Sequence, residues 1–158
     1  MSVPPPPPLA ELADFPARSW HATLHRITRI RNPDGSESLP LFFSTSGDGR
    51  FDLAERASRS GTCYLGTSEI ACVVEVFGRV RAIPTSALQD YQLVTLSAGE
   101  RLLLADVCAP PVLGRFGLTR EVCTTEDYGR TQDWARAFLG AGICRHCLNG
   151  EALPQALP

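Results

Sequence analysis

Over residues 20–30 apolar and polar side chains alternate loosely, and β-branched and aromatic types are frequent, which predicts a first strand. Asn32-Pro33-Asp34-Gly35 then supplies turn chemistry, and residues 44–48 form a polar loop ending at Gly49-Arg50-Phe51. Residues 61–65, Gly-Thr-Cys-Tyr-Leu, predict a short buried strand. Thr67 or Ser68 suits the N-cap of a helix over residues 69–77 that stops at Gly78. Strand patterns follow at residues 88–96 and 102–107, with a turn at Ser97-Ala98-Gly99-Glu100 between them. A last helix is expected over residues 131–139, ending near Gly140 or Gly142. At the front, Pro4 to Pro8 can enter neither a helix interior nor a central strand. The first eight residues therefore read as a tail, and residues 9–15 as one amphipathic turn leading into the domain. With strands outnumbering helices and no internal repeat, the expectation is a single α+β domain.

Composition narrows the chemistry. The length of 158 residues, 44% hydrophobic and 20% charged, is that of one globular domain with a real core. A net charge of −2 gives no reason to expect a nucleic-acid surface. All fifteen basic residues are arginine, which excludes Schiff-base, P-loop and catalytic lysines. Anions must then be held by arginine, backbone amides or hydroxyls. The sequence has neither a membrane-span pattern nor a signal-peptide pattern, so a cytoplasmic location and reduced cysteines are expected. Cys63 and Cys72, in apolar runs, read as small core residues.

Glu75 stands out. On a helix over residues 69–77, positions 71, 72, 75 and 76 share one face, because steps of three and four bring side chains together. Ala71, Cys72 and Val76 make that face apolar, so Glu75 is expected to point at the core or at a cleft floor. A buried carboxylate there needs an arginine, hydrogen bonds or a raised pKa, and a structural ion pair meets that need as well as a catalytic role does. Tyr64 reads either as a core tyrosine or as a stacking ring. Arg26 and Arg29, three apart on a predicted strand, face opposite sides. Arg50 follows a glycine-containing loop, and each arginine taken singly reads as a solvated surface residue.

Taken together, Leu24-His25-Arg26-Ile27, Gly49-Arg50-Phe51, Gly61-Thr62-Cys63-Tyr64-Leu65 and Glu75-Val76-Phe77-Gly78 resemble the RES-domain family. Thr131-Gln132-Asp133-Trp134-Ala135 and Gly140-Ala141-Gly142-Ile143 extend the likeness, which spans roughly residues 20–143. The resemblance implies an ADP-ribosyltransferase-like fold of twisted β-sheets with a few flanking helices. It implies a tail and lead-in at residues 1–15, a RES-like domain at 16–150 and a C-terminal tail at 151–158. It also implies an NAD⁺-degrading protein, a glycohydrolase, phosphorylase or ADP-ribosyltransferase, acting as the toxin of a toxin–antitoxin pair. Its partners would be NAD⁺, as substrate, and a helix-turn-helix antitoxin, without nucleic acid, membrane or metal. Glu75 would be the catalytic carboxylate, Tyr64 would stack on nicotinamide, and Arg26 and Arg50 would hold the ribose–phosphate portion. Where the family carries a serine after the glycine-rich turn, this chain has Cys144-Arg145-His146-Cys147-Leu148. Thr131 and Cys147 both remain open as replacements, and a catalytically attenuated binding module is the alternative.

Competing motifs are thin. Cys144 and Cys147 with His146 offer at most three nearby zinc ligands, and a second pair is missing unless Cys108 and Cys123 converge on them. His21 and His25, four apart on a strand, would lie about 13 Å apart in rise, too far for one metal. No P-loop or dinucleotide-binding glycine fingerprint is present.

Overall fold

The structure, a computed structural model, describes residues 2–20, 23–53, 61–78, 80–97 and 102–143, together with the backbone of 153–156. The strands are β1 (Ala17–Trp20), β2 (Thr23–Arg29), β3 (Tyr91–Ser97), β4 (Leu102–Ala105) and β5 (Leu153–Ala156). The helices are α1 (Glu69–Phe77), α2 (Thr85–Leu88), α3 (Pro110–Phe116) and α4 (Tyr128–Gly140). This is the mixed helix-and-strand composition expected. The chain forms two compact units, neither of them a continuous stretch. The first comprises residues 1–20, 43–62 and 101–147, and the second residues 21–42, 63–100 and 148–158.

In the first unit, β1 and β4 pair antiparallel from Ala17 opposite Ala105 to Trp20 opposite Leu102. Its core gathers on α4, whose Trp134 and Phe138 pack with Phe15, Leu12, Val112, Leu118 and Val122. Phe15 lies 4.8 Å from Phe138 and 4.8 Å from Phe116 between ring centroids, within the range where aromatic pairs add to plain burial. Asp127 caps α4 by accepting from the Arg130 amide. α3, which opens on Pro110-Pro111, has no counterpart among the expected elements. Proline is tolerated in a helix's first turn, where its missing N–H would have had no partner. Gly117, at φ 63°, ends that helix in the left-handed conformation.

The proline run expected as a free tail is packed instead. Val3 is buried in the core cluster, and the Trp134 indole Nε1 donates to the Pro4 carbonyl at 2.8 Å. The lead-in forms a 3-10 helix, Leu9–Asp14, that buries Leu12 completely. A buried indole N–H needs an acceptor, and the proline segment supplies it.

In the second unit, β2, β3 and β5 form an antiparallel sheet in that order. β2 and β3 pair from Thr23 opposite Ser97 to Arg29 opposite Tyr91. Residues 153–156, expected as tail, pair with β3 at the sheet edge, where Pro154 is tolerated because an edge strand leaves one row of donors unused. α1 matches its expected bounds, with Ser68 as N-cap accepting from the Ala71 amide. It packs through Cys72 against Ile27 and Leu93, and Phe77 meets Tyr91 edge-on at 5.1 Å.

Two strand expectations change. Residues 20–30 divide into β1 and β2, which belong to different sheets. Residues 61–65 form no strand; Thr62 and Gly66 make isolated bridges to Ser44 and His25. Both flanks need glycine: a Cβ on Gly61 would come within 2.8 Å of Phe43 Cβ, and one on Gly66 within 2.6 Å of Cys72 Sγ. The turn expected at 97–100 lies outside the described residues beyond Ser97.

Candidate functional site

The second unit carries three of the four singled-out residues. Arg26 sits on β2, opposite Val94 in the register. Neighbouring strand residues alternate faces, so Arg26 shares its face with Leu24, Thr28 and Leu96, away from the Ile27–Leu93 face on which α1 packs. Its Nη1 donates to the Phe42 carbonyl at 2.8 Å and to Cys63 Sγ at 3.2 Å. Arg29, the rival arginine, lies on the other face with its guanidinium 5.6 Å from the Tyr91 ring centroid. Cys63 itself feels two opposed influences. Burial pushes its thiol above the ordinary value, and the Arg26 charge pulls it back.

Tyr64 follows directly and is 37% exposed, so it is not a core tyrosine. Two residues on, the His25 and Gly66 amides donate to each other's carbonyls at 2.8 Å each, tying this segment to β2. From Gly66 the chain turns at once into the Ser68 cap and α1, with Cys72 beneath it.

Glu75 overturns an expectation. It is exposed rather than directed at the core, and among the described residues it makes no ion pair. The reason lies in how narrowly α1 is covered. Only Cys72 is buried and Phe77 half-buried, while Ile70, Val74 and Val76 are 76%, 61% and 41% exposed. The apolar face read from the sequence is real, but the sheet covers only one stripe of it.

Arg50 belongs to the first unit, in a loop held by side chains. The buried Asp52 carboxylate accepts from Ser44 Oγ at 2.7 Å, Ser46 Oγ at 3.1 Å and the Gly49 amide at 3.0 Å. From α4, Gln132 Nε2 donates to the Gly47 and Gly49 carbonyls at 2.8 and 3.0 Å. Thr131 Oγ1 donates to the Arg50 carbonyl. The Arg50 guanidinium lies 5.0 Å from the Tyr128 ring centroid, a cation–π distance, and its buried Nη1 has no acceptor among the described residues. A buried guanidinium donor without an acceptor is costly, so this position favours an anion.

Thr131 is thereby accounted for structurally: fully buried, its hydroxyl fixes the loop that bears Arg50. Asp52, Gln132 and Cys63 escaped the sequence reading as support residues. Gln132 stood in the Thr-Gln motif, but nothing in the spacing says that its amide reaches residues 83 and 85 positions earlier. Cys144, His146 and Cys147 lie outside the described residues. Among those described, no cluster of His, Cys, Asp and Glu could hold a metal ion, and no helix is long and apolar enough to cross a membrane.

No curated protein and no solved structure shows significant similarity to the chain. The family model of the RES domain, however, matches residues 23–147, a span containing Arg26, Arg50, Tyr64 and Glu75. The chain belongs to the RES-domain family.

Proposed function

We propose that the protein consumes NAD⁺ by breaking the nicotinamide–ribose bond, on an ADP-ribosyltransferase-like fold, as the toxin of a toxin–antitoxin pair. The observation that carries the proposal is the RES-domain match over residues 23–147, in a family of the NAD⁺-degrading type. As the bond breaks, its electron pair leaves with nicotinamide and positive charge develops on the ribose. Glu75 would stabilise that oxocarbenium-like charge, as carboxylates do in glycoside hydrolysis. An exposed carboxylate has little effect in water: at 4 Å a charge pair gains about 1 kcal/mol there, against about 4 at a protein surface. Bound NAD⁺ must therefore displace water around Glu75, and the open valines of α1 beside it offer an apolar wall for doing so.

Tyr64, exposed enough to meet a ligand, would stack on nicotinamide. Arg26 would hold ribose–phosphate oxygens, and Arg50, whose buried Nη1 has no acceptor among the described residues, carries the same anion-binding chemistry. Water or phosphate would take the ADP-ribosyl group, giving a glycohydrolase or a phosphorylase. A protein side chain as acceptor would make it an ADP-ribosyltransferase. A helix-turn-helix antitoxin in the cytoplasm would hold the activity in check.

One observation favours a second reading, a RES-like module that binds NAD⁺ without turnover: Cys144-Arg145-His146-Cys147 stands where the family carries a serine. NAD⁺ loss by wild-type protein and by Glu75→Gln, each with and without phosphate, tests the proposal. Removing the charge while keeping the shape is expected to slow turnover about a hundredfold or more. Equal rates for the two proteins would remove Glu75 from the mechanism. Binding with no turnover by either would select the second reading.

A further inference from the structure

Resting on that NAD⁺ reading, we infer that Cys63 and the Phe42 carbonyl are a positioning pair for Arg26, anchoring one of its nitrogens so that the opposite edge is presented to the phosphates of the substrate. A guanidinium has five N–H donors: two on each Nη and one on Nε. The two hydrogens of Arg26 Nη1 are matched by two acceptors, the Phe42 carbonyl at 2.8 Å and Cys63 Sγ at 3.2 Å. Nε and Nη2 donate to no described residue, and neither is buried without a partner. These two nitrogens form one planar edge with parallel N–H bonds, the geometry that grips a phosphate or carboxylate bidentately. Which edge faces the ligand is thus decided by which nitrogen the protein anchors.

Three features suit Cys63 to that task. Burial keeps it a neutral thiol, so it orients the arginine without cancelling the charge needed for an anion. Its neighbour Tyr64 is the proposed nicotinamide platform, so one short segment would set both the arginine and the ring. The paired hydrogen bonds between Gly66 and His25 fix that segment to the strand carrying Arg26. Cys63 touches no reacting atom in this scheme; it acts through Arg26.

The test compares wild type, Cys63→Val, Cys63→Ser, Arg26→Gln and the Cys63→Val/Arg26→Gln double variant, with thermal melts to establish that each folds. Losing one acceptor for a charged donor should raise KM for NAD⁺ roughly five- to tenfold in Cys63→Val and leave kcat within about twofold. Serine, which still offers an acceptor, should restore most of the affinity. In the Arg26→Gln background the valine should add no further effect, because the residue through which it acts is gone. An unchanged KM in folded Cys63→Val, or the same penalty with and without Arg26, overturns the inference. A ligand-free measurement separates this from failure of the NAD⁺ reading: the pH profile of Cys63 alkylation, followed by peptide mass spectrometry. If the wild type neither binds nor consumes NAD⁺, the functional reading falls and this profile alone decides the pairing. A profile moved to higher pH in Arg26→Gln supports it, and an unmoved one overturns it.

Discussion

Replacing Thr131 by valine tests how the loop bearing Arg50 is held. Thr131 has no exposed surface, and its hydroxyl donates to the Arg50 carbonyl, with the Tyr128 carbonyl a secondary acceptor at 3.1 Å. One O–H can donate fully to one acceptor, so the Tyr128 contact is the weaker branch. Valine keeps the shape and removes the donor. Leaving a desolvated carbonyl unsatisfied costs about 1–3 kcal/mol, while the extra buried methyl returns up to about 0.8 kcal/mol. The expected net loss is therefore about 1–2 kcal/mol. With a urea slope of about 1–3 kcal/mol per molar, the unfolding midpoint should fall by roughly 0.5–1.5 M with the slope unchanged. Tryptophan fluorescence reports the transition directly, since Trp134 lies three positions along the same helix in the core of the same unit. Thr131→Ser, which keeps the hydroxyl, should be the more stable of the two variants. A loss below about 0.5 kcal/mol in valine, or valine more stable than serine, would refute the claim that this hydrogen bond anchors the loop.

Other consequences can be checked alongside. Asp52→Ala strands Ser44 Oγ, Ser46 Oγ and the Gly49 amide, among the described donors, around a buried carboxylate site and should cost roughly 2–4 kcal/mol, with Asp52→Asn losing less in urea melts. Gly66→Ala puts a methyl group against Cys72 Sγ and should cost about 1–3 kcal/mol, with Cys72→Ala in the same chain relieving part of it. Burial pushes the Cys72 and Cys63 thiols up, so their alkylation should need a higher pH than that of the unfolded chain. Because the neutral form is favoured in the folded state, the same shift contributes stability below the ordinary thiol pKa that is lost as pH climbs through the raised one. Urea midpoints that stay flat across that alkaline window would contradict it.

The sequence made some parts of the molecule legible and hid others, for identifiable reasons. α1 was readable to its ends because Ser68 and Gly78 are local signals; Ser68 caps the first turn, and Gly78, at φ −62°, leaves room for the Val74 carbonyl that its amide bonds. α4, expected over residues 131–139, extends three residues earlier, to the Asp127 cap. Strand partners are not local, so the division of residues 20–30 between two sheets left no mark in the alternation. The proline run looked free because proline bars helix and ladder, but its carbonyls still accept, and Trp134 uses one. For the site, residue identity was informative and residue environment was not. Periodicity gave Glu75 an apolar face, yet burial depends on what the sheet covers, and it covers Cys72. The anchors of Arg26 lie 16 and 37 positions away, Thr131 reaches Arg50 across 81, and Gln132 reaches the loop before it across 83 and 85, distances no spacing rule spans.

The most direct measurement is the appearance of free nicotinamide when purified protein is mixed with NAD⁺, resolved by chromatography over time. Nicotinamide should appear in step with NAD⁺ loss, accompanied by ADP-ribose or its phosphorylated form. Folded protein that releases no nicotinamide over hours, with and without phosphate, would contradict it.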